Sequence, residues 1–215
     1  MNKRIFYTDG ACSQNGTWAG GYGVVELSQG ISQTIDNYID RYSINFYKSE
    51  ACEKTTNNRE ELKAMIEALK QIHKYIDGGE QNTKYVIYTD SAYVQNTCNT
   101  WIYNWSKNEW KNSKKVTVEN VDLMKILYNY LTKNFLNCQI TIEKVKGHAG
   151  TLGNELADAL AAGNIKKWKE LINKYNIAYD DICYCPICNK EIEITIYGGH
   201  GHCSNCGHHL NPEDK

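Results

Sequence analysis

The 215-residue chain is predicted to be an α/β protein, with a mixed sheet flanked by helices and a small cysteine-rich module behind it. Three observations carry that prediction. Stretches of period-two alternation are interleaved with stretches of helical spacing, an order that gives a mixed sheet with helices packed against it. Two of the alternating stretches end on an aspartate, Asp9 and Asp90. Five of the nine cysteines, Cys183, Cys185, Cys188, Cys203 and Cys206, crowd into the C-terminal end.

The elements follow in chain order. Residues 4–9 alternate so that Ile5, Tyr7 and Asp9 share one strand face. Residues 20–27 read as a second strand, and a third strand with a loop of unreadable register is expected between 28 and 55. Asn57 or Asn58 caps a helix that carries Leu62, Met65, Ile66, Leu69, Ile72 and Ile76 at helical spacing, and Gly78-Gly79 stops it. His73, between Lys70 and Lys74, is read as a surface residue of that helix. Residues 84–90 form a strand with Val86, Tyr88 and Asp90 on one face. Helices are expected from 91 through 101 and over 121–135, and a strand over 139–145. A last helix opens at 153–162 and is expected to run on through Trp168 to Tyr175. The domain boundaries read as 1–163, a helical linker over 164–180, and a small domain over 181–215.

Composition narrows the function classes. Hydrophobic residues make up 41% and charged residues 23%, which excludes a largely disordered chain. Formal net charge is -1, and up to Ile165 there are 18 basic against 18 acidic residues, so any surface attractive to a polyanion must be local. No segment approaches the ~20 apolar residues of a membrane span. The opening Met1-Asn2-Lys3-Arg4-Ile5-Phe6-Tyr7 lacks the apolar run of a secretory signal. A cytoplasmic protein is expected. In a reducing compartment the C-terminal cysteines point to a metal site rather than a disulfide framework.

Four short motifs each carry one acid: Tyr7-Thr8-Asp9-Gly10, Thr56-Asn57-Asn58-Arg59-Glu60-Glu61-Leu62, Tyr88-Thr89-Asp90-Ser91 and Asn154-Glu155-Leu156-Ala157-Asp158. Two are strand-end aspartates, one is a helix-start glutamate and one a helical aspartate. Singly, each has an ordinary structural use as a turn, a cap or a partner of the helix dipole. Together they supply the few hard oxygen ligands of a magnesium site that leaves room for water and substrate phosphate. That combination predicts phosphoryl transfer by a nuclease.

With Val145-Lys146-Gly147-His148-Ala149-Gly150, these motifs make the first three quarters of the chain resemble ribonuclease H of the type-one class. The resemblance implies a five-stranded mixed sheet and an endonuclease that cuts the RNA strand of RNA/DNA hybrids, leaving 5′-phosphate and 3′-hydroxyl ends. It makes Asp9, Glu61, Asp90 and Asp158 the ligands of two magnesium ions, with manganese as the alternative. Glu61 is selected over Glu60 because the family's glutamate directly precedes Leu62. Two such ions, about 4 Å apart, would flank the scissile phosphate. His148 lies between glycines, and histidine as a residue type changes charge near neutral pH, so it can move protons or help release the cleaved phosphate. The family gives it that auxiliary catalytic role.

By the same resemblance, Cys12, Asn15, Asn57 and Asn58 contact the hybrid and Thr56 holds a DNA phosphate. Ala92 stands where the family often has a glutamine that contacts RNA, which predicts weaker binding. The turn over 13–20 lacks the family's usual proline and has Trp18 instead. Trp101, Trp105 and Trp110 with Lys107, Lys111, Lys114 and Lys115 resemble the family's basic protrusion. Trp101 is expected against a DNA sugar, Trp105 and Trp110 in packing, and the four lysines on DNA phosphates, which makes binding salt-sensitive.

Cys185-Pro186-Ile187-Cys188 and Cys203-Ser204-Asn205-Cys206 resemble the two knuckles of a zinc ribbon, with one structural zinc held by four thiolates. Cys183, His200, His202, His208 and His209 are competing ligands. Residues 192–197 fit a strand between the knuckles. A module with so little core needs the metal to fold. Its own partner, a protein or a nucleic acid, is not legible, and the whole chain is expected to be a monomer. Two rival readings fit less well. A resolvase or transposase core would share carboxylates but not the Thr-Asn-Asn-Arg or Gly-His-Ala-Gly motifs. A non-catalytic hybrid-binding module would have lost an acid, and all four are present.

Overall fold

The sheet is built on β1 (Asn2–Cys12), whose Phe6 and Thr8 are fully buried. The computed structural model describes residues 2–13, 19–33, 38–133, 138–179, 182–184, 191–193, 201–202 and 209–210. In it β1 pairs antiparallel with β2 (Gly20–Gln33), which pairs antiparallel with β3 (Tyr38–Cys52). On its other side β1 pairs parallel with β4 (Thr83–Thr89), and β4 parallel with β5 (Gln139–Lys144). The order β5-β4-β1-β2-β3 is the mixed five-stranded sheet expected, and a two-residue strand β6 (Ala178–Tyr179) follows β3. Strand β2 runs beyond the expected 20–27, and its pairing with β3 shifts register at Glu26/Leu27.

Helix α1 (Asn57–Asp77) covers one face, with Leu62, Met65, Leu69 and Ile72 in the same core as Phe6, Val24 and Ile87. Its cap is Thr56, not Asn57 or Asn58. Thr56 has extended backbone and its hydroxyl accepts the Arg59 N–H at 3.3 Å, whereas Asn57 already opens the helix. His73 is not on the surface. It is 4% exposed because Tyr130 of α4 (Val121–Leu131) lies edge-on against it at 4.8 Å. A neighbouring helix covers a position that helical spacing alone left among lysines.

The stretch expected as one helix from 91 to 101 is α2 (Ala92–Asn96) followed by a π-helical turn at Thr97–Trp101 and then α3 (Ile102–Lys107). Helix α5 (Leu152–Ala161) packs on the opposite face of the sheet, where Gly23 meets Ala157 while the adjacent Val24 points to α1. The last helix is not continuous. Gly163 takes φ 63, in the left-handed region that glycine enters without steric cost, and ends α5. Asn164 then caps α6 (Ile165–Lys174) by accepting the Lys167 N–H at 3.0 Å. Residues 164–174, within the stretch read as a helical linker over 164–180, hold a packed helix: Trp168 is buried, with its ring 5.4 Å from that of Tyr47 on β3.

The chain divides into two compact units, Met1–Ala178 and Tyr179–Lys215. The second contains two antiparallel ladders, β7 (Ile182–Tyr184) with β8 (Glu191–Glu193) and β9 (Gly201–His202) with β10 (His209–Leu210). Cys185, Cys188, Cys203 and Cys206, the expected zinc ligands, lie outside the described residues. Among the described residues no helix is long and apolar enough to cross a membrane.

Candidate active site

Parallel pairing brings the first two acids together. The register matches Thr8 with Thr89, so Asp9 and Asp90 are the next residues along neighbouring strands. The third arrives through Gly10, where any Cβ would run into the Glu61 backbone nitrogen. Only a glycine lets the first turn of α1 sit directly on β1. One carboxylate oxygen each from Asp9, Glu61 and Asp90 then lies within 4.8 Å of the other two. Asp9 is 7% exposed, and its Oδ1 accepts the Gly10 N–H at 2.8 Å. Asn154, on α5 and 1% exposed, donates from Nδ2 to Asp90 Oδ2 at 3.4 Å.

This arrangement is electrostatically unfavourable as it stands. Burial, then the charges of Asp90 and Asp158, push the Asp9 carboxyl up to about 7. Burial, then Asp9 and Asp90, push Glu61 up to about 9. Among the described residues Glu61 Oε2 is buried with no hydrogen-bond donor. Clustered, desolvated carboxylates with an unused oxygen are the donor set that a hard divalent cation takes, and a cation reverses each of these penalties.

Asp158 stands apart from that group of three. It lies on α5, and its Oδ2 is 2.6 Å from Lys167 Nζ, which is also 2.7 Å from Glu155 Oε2. His148 is exposed on the loop between β5 and α5, with its backbone at φ 49, a left-handed conformation uncommon outside glycine. The loop lies against the acids, since a Cβ on Gly147 would be 2.7 Å from Asp90 Oδ2.

The expected substrate residues are more dispersed. Asn57 and Asn58 are exposed on the first turn of α1, beside the half-buried Thr56. The Cys12 thiol donates to the Thr55 carbonyl at 3.4 Å. Asn15 and Trp18 lie outside the described residues. Trp101 is 37% exposed and its ring is 5.6 Å from that of Trp105, while Trp105 and Trp110 pack partly buried against the core. Lys107, Lys114 and Lys115 are exposed, and Lys111 pairs with Glu109 at 2.5 Å.

Three residues have roles that the sequence did not reveal. Asn154 and Arg59 stand inside the acidic motifs, but nothing local marks what they do. Arg59 bridges to Asp122 at 2.7 Å and to Asn120 at 3.1 Å, clamping α1 to α4. Lys167 had no signal, because its approach to Asp158 depends on the break at Gly163.

Known proteins with this architecture are numerous. The family model for RNase H matches residues 1–166. A Ribonuclease H from Caldicellulosiruptor saccharolyticus is 36% identical over 170 residues, covering 79% of this chain and 100% of the relative. One from Syntrophomonas wolfei is 44% identical over 167 residues, covering 77% and 98%. The crystal structure of a type 1 RNase H with the type 2 active-site motif superposes with a TM-score of 0.54 at 28% identity, over 74% of this chain and 70% of that one.

Proposed function

The chain belongs to the ribonuclease H family and hydrolyses the RNA strand of RNA/DNA hybrids, and we propose that Asp9, Glu61, Asp90 and Asp158 are the residues that hold its divalent cations. The family depends on such cations. The observation that carries the assignment is the convergence of three carboxylates, one buried and two half-buried, from β1, α1 and the end of β4 within 4.8 Å, with the protons of Asp9 and Glu61 held unusually tightly. Two magnesium ions, with manganese as the alternative, suit four carboxylates with water and phosphate completing the coordination.

When bound, such ions acidify the attacking water and stabilise the leaving 3′ oxygen. The chain's own residues prepare that chemistry. The Gly10 N–H holds Asp9, and Asn154 Nδ2 orients Asp90. Thr89 Oγ1 accepts the Ser91 N–H at 3.1 Å and turns the chain sharply just after Asp90. His148 offers an exposed imidazole on the loop whose Gly147 lies against Asp90, and its role is to move a proton at the departing oxygen and to help the 5′-phosphate leave. Cys12, Asn15, Thr56, Asn57 and Asn58 read the hybrid, with Trp101 against a DNA sugar and Lys107, Lys111, Lys114 and Lys115 on DNA phosphates. The three central carboxylates come from one chain, so a monomer suffices for their convergence.

The C-terminal unit is a zinc ribbon in this reading. Its support is the pairing of strands on either side of each knuckle. Cys185 and Cys188 fall between β7 and β8 in sequence, and Cys203 and Cys206 between β9 and β10. Two strand pairs whose connecting sequences each carry a C-x-x-C motif are what one tetrahedral zinc held by four thiolates calls for. One zinc per chain, with those four thiols protected from titration until chelator is added, is the expected result.

The enzyme assignment is tested with labelled RNA/DNA hybrid, duplex RNA and duplex DNA, each with magnesium or chelator. Only the hybrid with magnesium should be cut, to 5′-phosphate products. Asp90→Asn should abolish cutting with an unchanged circular dichroism spectrum. Substantial turnover by that variant would remove Asp90 from the metal site.

A further inference from the structure

Lys167 is the first residue beyond the segment that the family model matches, and it reaches back into the site. Its Nζ is 2.6 Å from Asp158 Oδ2 and 2.7 Å from Glu155 Oε2. Both acids are on α5, one helical turn apart on the same face. The backbone of Lys167 is fixed on both sides. Its N–H is the one that Asn164 Oδ1 accepts in capping α6, and the adjacent Trp168 is buried against Tyr47. The side chain therefore leaves a locked turn and spans from α6 to α5.

The position is a poor one for a lysine on local grounds. Lys167 is in the first turn of α6, where the helix dipole disfavours a positive charge. Burial also works against its ammonium, but the hydrogen bonds to Asp158 and Glu155 outweigh it and hold the proton more tightly than usual. A local rule broken in this way, beside a catalytic centre, is where a functional constraint is expected. The Lys167 charge is also felt at Asp9, where it opposes the effect of Asp158.

We propose that Lys167 is a positioning residue that occupies Asp158 as an internal cation, keeping it out of the Asp9–Glu61–Asp90 group until a divalent cation displaces it. This rests on the reading of Asp158 as a metal ligand. Its consequence is two separated demands for metal. The three-carboxylate group binds readily, because binding relieves its repulsion. Recruitment of Asp158 requires in addition that its ion pair with Lys167 be broken, so it needs a higher cation concentration. The segment that closes the nuclease unit thereby sets the metal concentration at which the enzyme becomes active.

The test compares the full chain with Lys167→Met, Lys167→Arg and Asp158→Asn. Binding of Mn2+ to the free protein is followed by electron paramagnetic resonance, and the Mg2+ dependence of hybrid cleavage is measured in parallel. Lys167→Met is expected to tighten the weaker Mn2+ class and to lower the half-activating Mg2+ concentration by about two- to fivefold, the strength of a part-exposed ion pair. Lys167→Arg keeps the charge and should stay near wild type. If Lys167→Met does not fold, as judged by its melt in chelator, Lys167→Gln takes its place. A variant that moves only the melting temperature would show that Lys167 merely clips α6 to α5. A raised metal requirement, or activity lost even at saturating Mg2+, would show that Lys167 works with the metal rather than against it. Either result overturns the proposal. Full cleavage by Asp158→Asn would instead remove Asp158 from the ligand set, a separate failure.

Discussion

Glu60 and Glu61 occupy consecutive positions near the start of α1, and their two surroundings treat a desolvated carboxylate in opposite ways. Glu60 is fully buried, and its Oε1 accepts from the Thr55 hydroxyl at 2.5 Å and from Lys63 Nζ at 2.7 Å. Glu61 faces Asp9 and Asp90, and burial followed by those two charges drives its carboxyl up to about 9. On the Glu60 side the protein neutralises its own charge, which is what folding alone requires of a buried ion. On the Glu61 side three acids face one another across 4.8 Å, which destabilises the fold unless a cation is supplied from outside. The contrast separates structural acid from functional acid on physical grounds, where the sequence relied on the family motif.

The largest expected effect follows directly. Glu61→Gln should reduce cleavage of hybrid by about a thousandfold or more, because it removes a group that works on the reacting phosphate. The same change removes a repelled charge, so it should leave the metal-free protein as stable as wild type or more so. Single-turnover cleavage with saturating magnesium and a urea melt in chelator measure the two quantities. A loss of activity accompanied by equal loss of stability would mean that Glu61 belongs with Glu60 as a structural residue.

The comparison also has a pH signature. Asp9 and Glu61 have folded-state values of about 7 and about 9, above the ordinary ~3.9 and ~4.3. A pKa raised by folding contributes stability that is complete below the unfolded value and is lost as pH rises through the folded one. In chelator, these two groups therefore weaken the protein progressively between about pH 4 and pH 9. Divalent cation should restore what ionisation costs. The rise in melting temperature on adding Mn2+ should thus grow from pH 6 to pH 9, with about 2–4 °C for each kcal/mol in a chain of this size. Glu61→Gln should flatten that growth. A metal-induced rise that is independent of pH would contradict the picture of mutually repelled acids.

Glu60 gives the reverse pattern at smaller scale. Glu60→Gln leaves Lys63 without its charged partner and weakens a buried hydrogen bond, for an expected loss of about 1–3 kcal/mol in a urea melt. Cleavage should stay within about an order of magnitude of wild type, since nothing that touches the phosphate has changed. Inactivation comparable to that of Glu61→Gln would erase the distinction between the two sides of the turn.

Legibility in the sequence followed the range of each interaction. Asp9 and Asp90 were readable because strand alternation is local, and a parallel register of neighbouring strands then places them side by side. The choice of Glu61 over Glu60 needed the family motif, since both sit in one turn. Thr56 as cap was missed in favour of the asparagines beside it, because cap preference ranks asparagine above threonine. His73 was misplaced because burial there is conferred by Tyr130, far along the chain. Lys167 was invisible for the same reason: only the left-handed Gly163 turns α6 so that its first turn faces α5.

The smallest expected effect repeats the comparison with the sign of charge reversed. In the segment between α3 and α4, Lys111 is matched by Glu109 at 2.5 Å, whereas Lys114 and Lys115 are exposed and have no carboxylate partner among the described residues. By the reasoning that separates Glu61 from Glu60, the unmatched cations are the ones that await an external phosphate. Lys114→Ala or Lys115→Ala should weaken hybrid binding about two- to fivefold and lower the slope of log affinity against log salt by ~0.7–0.9 for each phosphate that is no longer neutralised. Lys111→Ala should do less, because in the free protein its charge is already partly balanced by Glu109. Binding isotherms of catalytically inactive Asp90→Asn protein over a range of salt concentrations give both numbers. Equal slopes for all three variants would mean that Glu109 releases Lys111 on binding, and that matching within the free protein does not forecast which charges the nucleic acid uses.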